Sequence, residues 1–384
     1  MIKLAGDEFS RLSRAVHRFS GIETGSGKEY LFETRLQDVL REEGFVSFTE
    51  LCDALSRGHD PALQEKVISA VSTKETHFFR DQSWFDLLRF KVFPDLIDAR
   101  RRHCSGSRLP ITIWSAGCST GQEVYSVLMA FLETVGDGSG LRVRVLGSDI
   151  SGQAVARASY GEYSAFEVGR GLDSFRRDRY FHKTGAGWRV RDEIRAMATF
   201  SRSNLLSGNT PAGPFDIVLC RNVGIYFSRT DRGRLFEGVT SRLRPGGVLL
   251  LGASESLENA EAIGMNAQRH LNAHYYRSVG TEPEAVSARV PVAPGPETSL
   301  VAPIDKTESR AAFRSERIVA GGGAALPEKN RARPTADVSA AAAKDFGAEC
   351  GVLASLRGAE KSGLLDRLRP ESRPALLQAI RKER

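Results

Sequence analysis

The sequence predicts an α/β protein: a doubly wound, mostly parallel sheet of about seven strands, with a small all-helical domain in front and a small antiparallel insert. Three observations lead there. Ile111 to Asp149 reads as an apolar strand, a small-residue turn, an apolar-faced helix and a second strand that ends in an acid. Apolar runs at 198–201, 215–220 and 248–251 continue the alternation of strand and helix. Residues 7–70, in contrast, carry only helix-period apolar positions.

A chain of 384 residues has room for two or three domains, and 41% apolar residues can build a core. The formal charge of +7 suits an acidic partner, whether nucleic acid, membrane surface or Glu-rich protein, without choosing among them. The chain has no apolar run of about eighteen residues, and Met1–Ser10 lacks the apolar stretch of a signal peptide. A cytoplasmic protein without membrane insertion is expected. The five cysteines are scattered and lack zinc-ligand spacing, so reduced thiols and no metal are expected.

The expected domains are 1–72, 73–280, a linker over 281–340 and a partly helical tail over 341–384. In the first, Phe9, Leu12, Val16 and Phe19 mark one helix that ends near Gly21. Leu31, Leu36, Val39 and Leu40 mark a second helix, and Phe48, Leu51 and Leu55 a third. Asp60-Pro61 starts a fourth, with Asp as cap and Pro in the first turn. The second helix interleaves Lys28, Arg35 and Arg41 with its apolar positions. They read either as a solvated polar face or as a basic strip for an acidic partner helix.

Thr73 to Asp81 is a joint between domains, and its Arg80 is either a structural ion-pair partner or a carboxylate-facing cation. After it, an amphipathic helix from Trp84 leads to the strand Ile111–Ser115. The turn Ala116–Gly121 lets backbone approach a ligand closely and offers free amides at the start of a helix near Gln122. It lacks the Gly-x-Gly-x-x-Gly of a dinucleotide site, and Asp149 comes too late for that fingerprint. A nucleoside without a pyrophosphate fits better than NAD, which argues against an NAD-linked oxidoreductase. Asp149 either takes two ribose hydroxyls or caps the helix that follows from Ser151.

Phe181 to Val190, within a small β subdomain near 180–196, reads as a ribbon. Strands at 198–201 and 215–220 return to the main sheet. A helix from Asp231 to Leu243 stops at Arg244-Pro245-Gly246-Gly247, Val248–Leu251 is another strand, and His270–Tyr276 closes the sheet antiparallel. Beyond Ser278 the composition shifts to Pro, Ala and Gly, as in a disordered linker.

Four stretches together resemble one family, the bacterial chemotaxis-receptor glutamate methyltransferases of the CheR type. They are Glu75-Thr76-His77-Phe78-Phe79-Arg80-Asp81, Ala116 to Glu123 with Tyr125-Ser126, Ser148-Asp149-Ile150, and Pro214-Phe215-Asp216 through Cys220-Arg221-Asn222-Val223 to Ile225-Tyr226-Phe227. The resemblance covers about residues 7–278 and leaves out the tail. It implies a Rossmann-like S-adenosyl-L-methionine-dependent methyltransferase sheet, with S-adenosyl-L-homocysteine as product. It further implies methyl transfer to glutamate side chains on cytoplasmic helices of chemoreceptors, without nucleic acid, by a monomer.

Carried position by position, the resemblance implies cofactor contacts at Lys74, Thr76, Arg80, Gly117, Glu123, Asp149, Asn204, Leu205, Arg221 and Asn222. It implies receptor contacts at Arg35 and Arg41, which favours the basic-strip reading. A glutamate carboxylate, with a reference pKa of about 4.3, is already ionised and needs no general base. No catalytic His is therefore sought, and His77 is given no such role. Arg80 is expected to orient the carboxylate and Tyr226 to bound the methyl-transfer pocket.

The sequence departs from the family pattern at Lys74, where Asn is common, and at Gln122, Val124 and Gly224. The ribbon loop His182–Trp188 is shorter than in members that grip a receptor's tether peptide, so tight binding of such a peptide is not expected. A second reading keeps the cofactor but directs transfer to a non-receptor protein, or makes the chain a sensor of S-adenosylmethionine or its product.

Overall fold

Helix-period apolar spacing in the first seventy residues becomes five helices, α1 (Gly6–Ser20), α2 (Glu29–Arg35), α3 (Gln37–Glu43), α4 (Phe48–Arg57) and α5 (Pro61–Val71). The structure is a computed structural model that describes residues 2–280 except Ser26, His59, 104–109, 137–140 and Ala186. The expected linker and tail, with Cys104 and Cys350, lie outside the described residues.

The caps explain where these helices begin and end. Gly21, Gly44 and Gly58 end α1, α3 and α4 in the left-handed conformation. Asp60 starts α5 by accepting from the amides of Ala62 and Leu63. The expected single second helix is two helices, broken at Leu36. Leu36 is fully buried, and Phe32 from α2 and Val39 and Leu40 from α3 share one core with it and with Leu12, Val16 and Phe48.

The joint leads to α6 (Gln82–Leu87), one π-helical turn (Leu88–Val92) and α7 (Phe93–His103). The sheet region then runs β1 (Ile111–Ala116), α8 (Gln122–Val135), β2 (Val143–Asp149) and α9 (Gly152–Tyr160). An excursion follows: β3 (Glu162–Tyr163), α10 (Ala165–Gly169), α11 (Ser174–Tyr180), β4 (Phe181–Lys183), β5 (Trp188–Val190) and α12 (Asp192–Arg195). The chain returns through β6 (Ala198–Arg202), β7 (Phe215–Cys220), α13 (Arg229–Thr240), β8 (Leu243–Leu251), β9 (Met265–His270) and β10 (Ala273–Ser278).

The main sheet has seven strands in the order β6-β2-β1-β7-β8-β10-β9, parallel except where β10 pairs with β8 and β9. All six residues of β7 are buried. A parallel strand covered on both faces reads as a near-continuous apolar run for this reason, broken here by Asp216, which accepts from Thr112 N and Oγ1. Ile113, Ile217 and Leu219 face the layer with α6, α7 and α8, while Trp114, Val218 and Cys220 face the layer with α13. Each such large apolar side chain contributes roughly 1.5–3 kcal/mol on burial.

Three expectations change. The helix expected to reach Leu243 ends at Thr240, whose hydroxyl bonds back to the carbonyls of Phe236 and Glu237. Leu243 instead pairs with Phe215, and a register shift carries β8 through Arg244-Pro245-Gly246-Gly247. The closing strand is a hairpin that reverses at Leu271, with φ 51°. Its first strand, β9, is an edge strand with one buried residue, Met265, and so shows no alternating pattern. The ribbon gains a third strand, β3, beside β5.

Candidate cofactor and substrate cleft

From β1 the chain steps outward to β2 and β6, then returns to place β7 on the other side of β1. This reversal leaves a crevice above the carboxyl ends of β1 and β7. A cleft of about 210 Å3 lies there. Its floor takes Gly117 to Ser119 from the end of β1, Asp149 and Ile150 from β2, Ser203 to Leu205 after β6, and Arg221 to Val223 after β7. The helical domain and the joint supply the opposite wall.

The turn after β1 needs left-handed backbone at Gly117, Ser119 and Gly121, with φ 81°, 50° and 94°. An added Cβ at Gly117 would lie 2.5 Å from Val223 Cγ2, so only glycine lets the loop after β7 cross the loop after β1. Asp149 is held by two amides: Ser119 N donates to Oδ2 at 2.9 Å and Ser151 N to Oδ1 at 2.9 Å. Ser151, not Asp149, is the side-chain cap of α9. Burial pushes the Asp149 carboxyl above the usual range, against the pull of the Ser151 and Ser119 amides and of Lys74. Its two oxygens keep lone pairs for further donors.

Arg221 is the most enclosed charge of the site, its side chain 2% exposed. Nη1 donates to Glu123 Oε2 at 2.9 Å, and Nη2 donates to Asp81 Oδ2 and to the Arg80 carbonyl at 2.8 Å each. Ser115 Oγ donates to the other Glu123 oxygen at 2.7 Å. One guanidinium thus ties α8, the joint and the end of β7 together. It reaches the cleft as a brace, because both terminal nitrogens are already committed.

The loop after β7 is fastened to the helical domain. Glu23 N donates to the Tyr226 carbonyl at 2.8 Å, and Ile22 and Phe227 form an isolated antiparallel bridge. Asn204 Nδ2 donates to the Phe19 carbonyl at 3.0 Å, and its Oδ1 accepts from Leu206 N at 3.0 Å. The Asn204 amide therefore secures the domain contact rather than standing free.

The cleft brings together most of the residues picked out in the sequence: Arg35, Thr76, Arg80, Gly117, Glu123, Asp149, Asn204, Leu205, Arg221, Asn222 and Tyr226. Lys74 and Arg41 are not in its lining. Lys74 Nζ instead donates to Gln153 Oε1 at 2.7 Å, while its charge still acts on Asp149. Arg41 pairs with Asp38 on the exposed face of α3, at 2.6 Å. Arg35 instead turns to the cleft and donates to the Val71 carbonyl at 2.8 Å. The two arginines face different sides, so no continuous basic strip forms.

Several cleft residues escaped the sequence reading. Ile22, Glu23 and Thr24 line it from the connection between α1 and α2. Closely spaced Gly21, Gly25 and Gly27 in that connection were a usable sign of a strap laid against another surface. His77 also lines the cleft. Its Nδ1 is buried without a partner, and burial together with Arg170 and Arg80 lowers its pKa. Cys118 and Cys220 are fully enclosed thiols whose pKa burial pushes well above normal, as suits packing groups.

Comparison with known proteins bears directly on this cleft. The family pattern described as "CheR methyltransferase, SAM binding domain" matches residues 74–270, and "CheR methyltransferase, all-alpha domain" matches residues 7–72. The chain belongs to the CheR methyltransferase family.

Chemotaxis protein methyltransferase 1 of Pseudomonas aeruginosa is 39% identical over 259 residues, spanning 66% of this chain and 92% of the relative. Chemotaxis protein methyltransferase Cher2 of Pseudomonas putida is 37% identical, spanning 65% and 90%. A chemotaxis protein methyltransferase of Vibrio parahaemolyticus is 36% identical, spanning 67% and 91%.

This CheR chain is an S-adenosylmethionine-dependent methyltransferase of chemotaxis, built on a Rossmann-like sheet. The cleft fits that cofactor. It offers a buried carboxylate with spare acceptor capacity at one end and a mixed Glu, Asn and Arg lining at the other. Among the described residues no cluster of three or more His, Cys, Asp or Glu could hold a metal ion, and no helix is long and apolar enough to cross a membrane.

Proposed function

We propose that the chain transfers the methyl group of S-adenosylmethionine to glutamate side-chain carboxylates of chemoreceptor proteins, forming glutamyl methyl esters. The observation that carries this reading is the placing of Arg35 and Arg80 in the wall of the cleft that has Asp149 in its floor. Cations over a nucleoside-type floor suit a negatively charged acceptor.

When bound, the cofactor supplies a methyl group made electrophilic by its sulfonium. The protein's own residues hold, orient and enclose. Asp149 would take the ribose hydroxyls on its spare lone pairs, with Ile150 and Leu205 supplying apolar surface for the base. Gly117, Thr76, Glu123 and Asn222 would hold the amino-acid part, and the brace of Arg221 on Asp81 and Glu123 keeps those residues in place.

The incoming glutamate is ionised at neutral pH and attacks without a base. Arg80 aligns it, held near the Glu75 carbonyl at 3.2 Å, and Tyr226 closes the pocket from the strap side. Holding an ionised nucleophile in line and excluding water is enough to speed such a transfer. The partner is a receptor's cytoplasmic helix rather than nucleic acid. Tight binding of a tether peptide is not part of this reading, and the short β4–β5 loop, closed by Thr184 N on the Gly187 carbonyl at 2.8 Å, supports that.

Incubation with labelled S-adenosylmethionine and receptor cytoplasmic fragments tests the reading. Label released as methanol by mild base is the expected result. Cofactor binding without transfer to any receptor fragment would redirect the reading to another protein substrate.

A further inference from the structure

The wall of the cleft after β7 rests on a carboxylate that lies outside the cleft lining. We propose that Glu255 is the positioning residue that sets the turn at Asn222 and so fixes the Asn222–Tyr226 wall against the cofactor.

The geometry is specific. Glu255 Oε2 accepts from Asn222 N at 2.6 Å and from Gly252 N at 2.7 Å, and Oε1 accepts from Val223 N at 3.1 Å. Two consecutive amides after β7 and one after β8 thus converge on one anion. Successive amides aimed at one point form an anion-binding concavity, and here the protein fills it from within. Asn222 has φ 56°, a backbone region that an L residue enters at a cost. The carboxylate holds it there by drawing its amide, and the next one, to one side.

The surroundings are cut to admit this group. A Cβ added at Gly252 would lie 2.5 Å from Glu255 Oε2 and 2.8 Å from Asn222 Nδ2, and one at Gly224 would lie 3.1 Å from Glu255 Oε1. Glutamine cannot replace the group, since its NH2 would face an amide N–H. The loop is held at its first residue by the Arg221 brace and at its last by the strap bond to the Tyr226 carbonyl. Glu255 governs what lies between, where Asn222 and Val223 meet the cleft.

The proposal rests on the cofactor and not on which protein is methylated, so it is read on the full chain without a protein substrate. Titration calorimetry with S-adenosylhomocysteine and thermal unfolding are measured for Glu255→Gln, Glu255→Ala and the control Glu258→Gln. Glu258 pairs with Arg229 on the surface nearby, at 2.8 Å. In Glu255→Gln the ligand affinity falls about tenfold or more, as expected for losing charge-assisted bonds, while folding is retained. Added formate restores part of the affinity in Glu255→Ala by refilling the amides, and Glu258→Gln behaves as wild type.

Unchanged affinity in folded Glu255→Gln overturns the proposal. So does a loss of affinity that tracks the melting temperature and ignores formate, which marks a purely structural group. If neither variant folds, Glu255→Asp decides: it keeps the charge and withdraws its reach, so affinity falls while the fold survives, and wild-type affinity there overturns the proposal.

Discussion

Arg221 and Glu123 meet at 2.9 Å across the carboxyl ends of β7 and β1, with Asp81 on the same guanidinium at 2.8 Å. Sheet, α8 and interdomain joint are therefore linked through one buried cation. Replacing Arg221 with Met strands two carboxylates, and removing one partner of a buried pair costs about 3–5 kcal/mol. Arg221→Met is expected to lose about 3 kcal/mol of stability in urea unfolding, at the lower end because Asp81 is partly exposed. Arg221→Lys, a point charge on a single stem, should recover only part of it.

Asp149 carries a prediction in pH. Its pKa is raised by burial, so it protonates at a higher pH than an ordinary aspartate as the solution is acidified. The proposed bonds to ribose hydroxyls need the ionised form. Affinity for S-adenosylhomocysteine should therefore be full above the raised pKa and fall as pH drops through it, at a pH where surface aspartates are still ionised. Asp149→Asn should weaken binding by about tenfold to a hundredfold and flatten the profile, as for loss of a charged acceptor. Calorimetry across pH checks both.

Arg80 and Tyr226 are expected to act on transfer more than on folding. Misplacing an ionised nucleophile by about 1 Å costs roughly a hundredfold in rate. Arg80→Ala should reduce turnover on that order while thermal unfolding changes little, and Tyr226→Phe should reduce it less. If both folded variants transfer methyl groups at the normal rate, the roles assigned to these side chains fall.

Lys74 tests the reverse case. Its ammonium is bonded to Gln153 outside the cleft, so Lys74→Asn should leave cofactor affinity close to wild type. A large gain in affinity on restoring Asn would mean that the side chain turns inward when ligand binds.

Gly117→Ala probes the crossing of two loops. Its φ of 81° disfavours any side chain, and the new methyl would meet Val223 Cγ2. A loss of at least about 1 kcal/mol is expected, as for alanine forced into left-handed backbone. The double variant with Val223→Ala should recover the steric part and leave the backbone part, which a double-mutant cycle in denaturant separates.

What the sequence determined was local chemistry repeated in order. Mainly apolar runs of strand length at 111–115, 215–220 and 248–251 were legible because the central strands are covered on both faces, and those at 143–146 and 198–201 from their place in the alternation of strand and helix. The Gly117-to-Gly121 turn and Asp149 were legible because left-handed backbone and a strand-end acid leave marks in residue type. Edge strand β9 was not, since it has almost nothing to bury.

Tertiary structure alone decided which charges face the cleft. Arg35 and Arg41 belong to one basic, helix-period stretch, yet one lines the cleft and the other pairs with Asp38 at the surface. Lys74 adjoins the cleft by position and leaves it for a glutamine on α9. Glu255 lies more than thirty residues from the loop that it holds. Hydrogen bonds at such separations depend on strand order and loop crossing, which no spacing along the chain records. The platform was therefore written in the sequence, and the brace, strap and carboxylate that shape its walls came only with the fold.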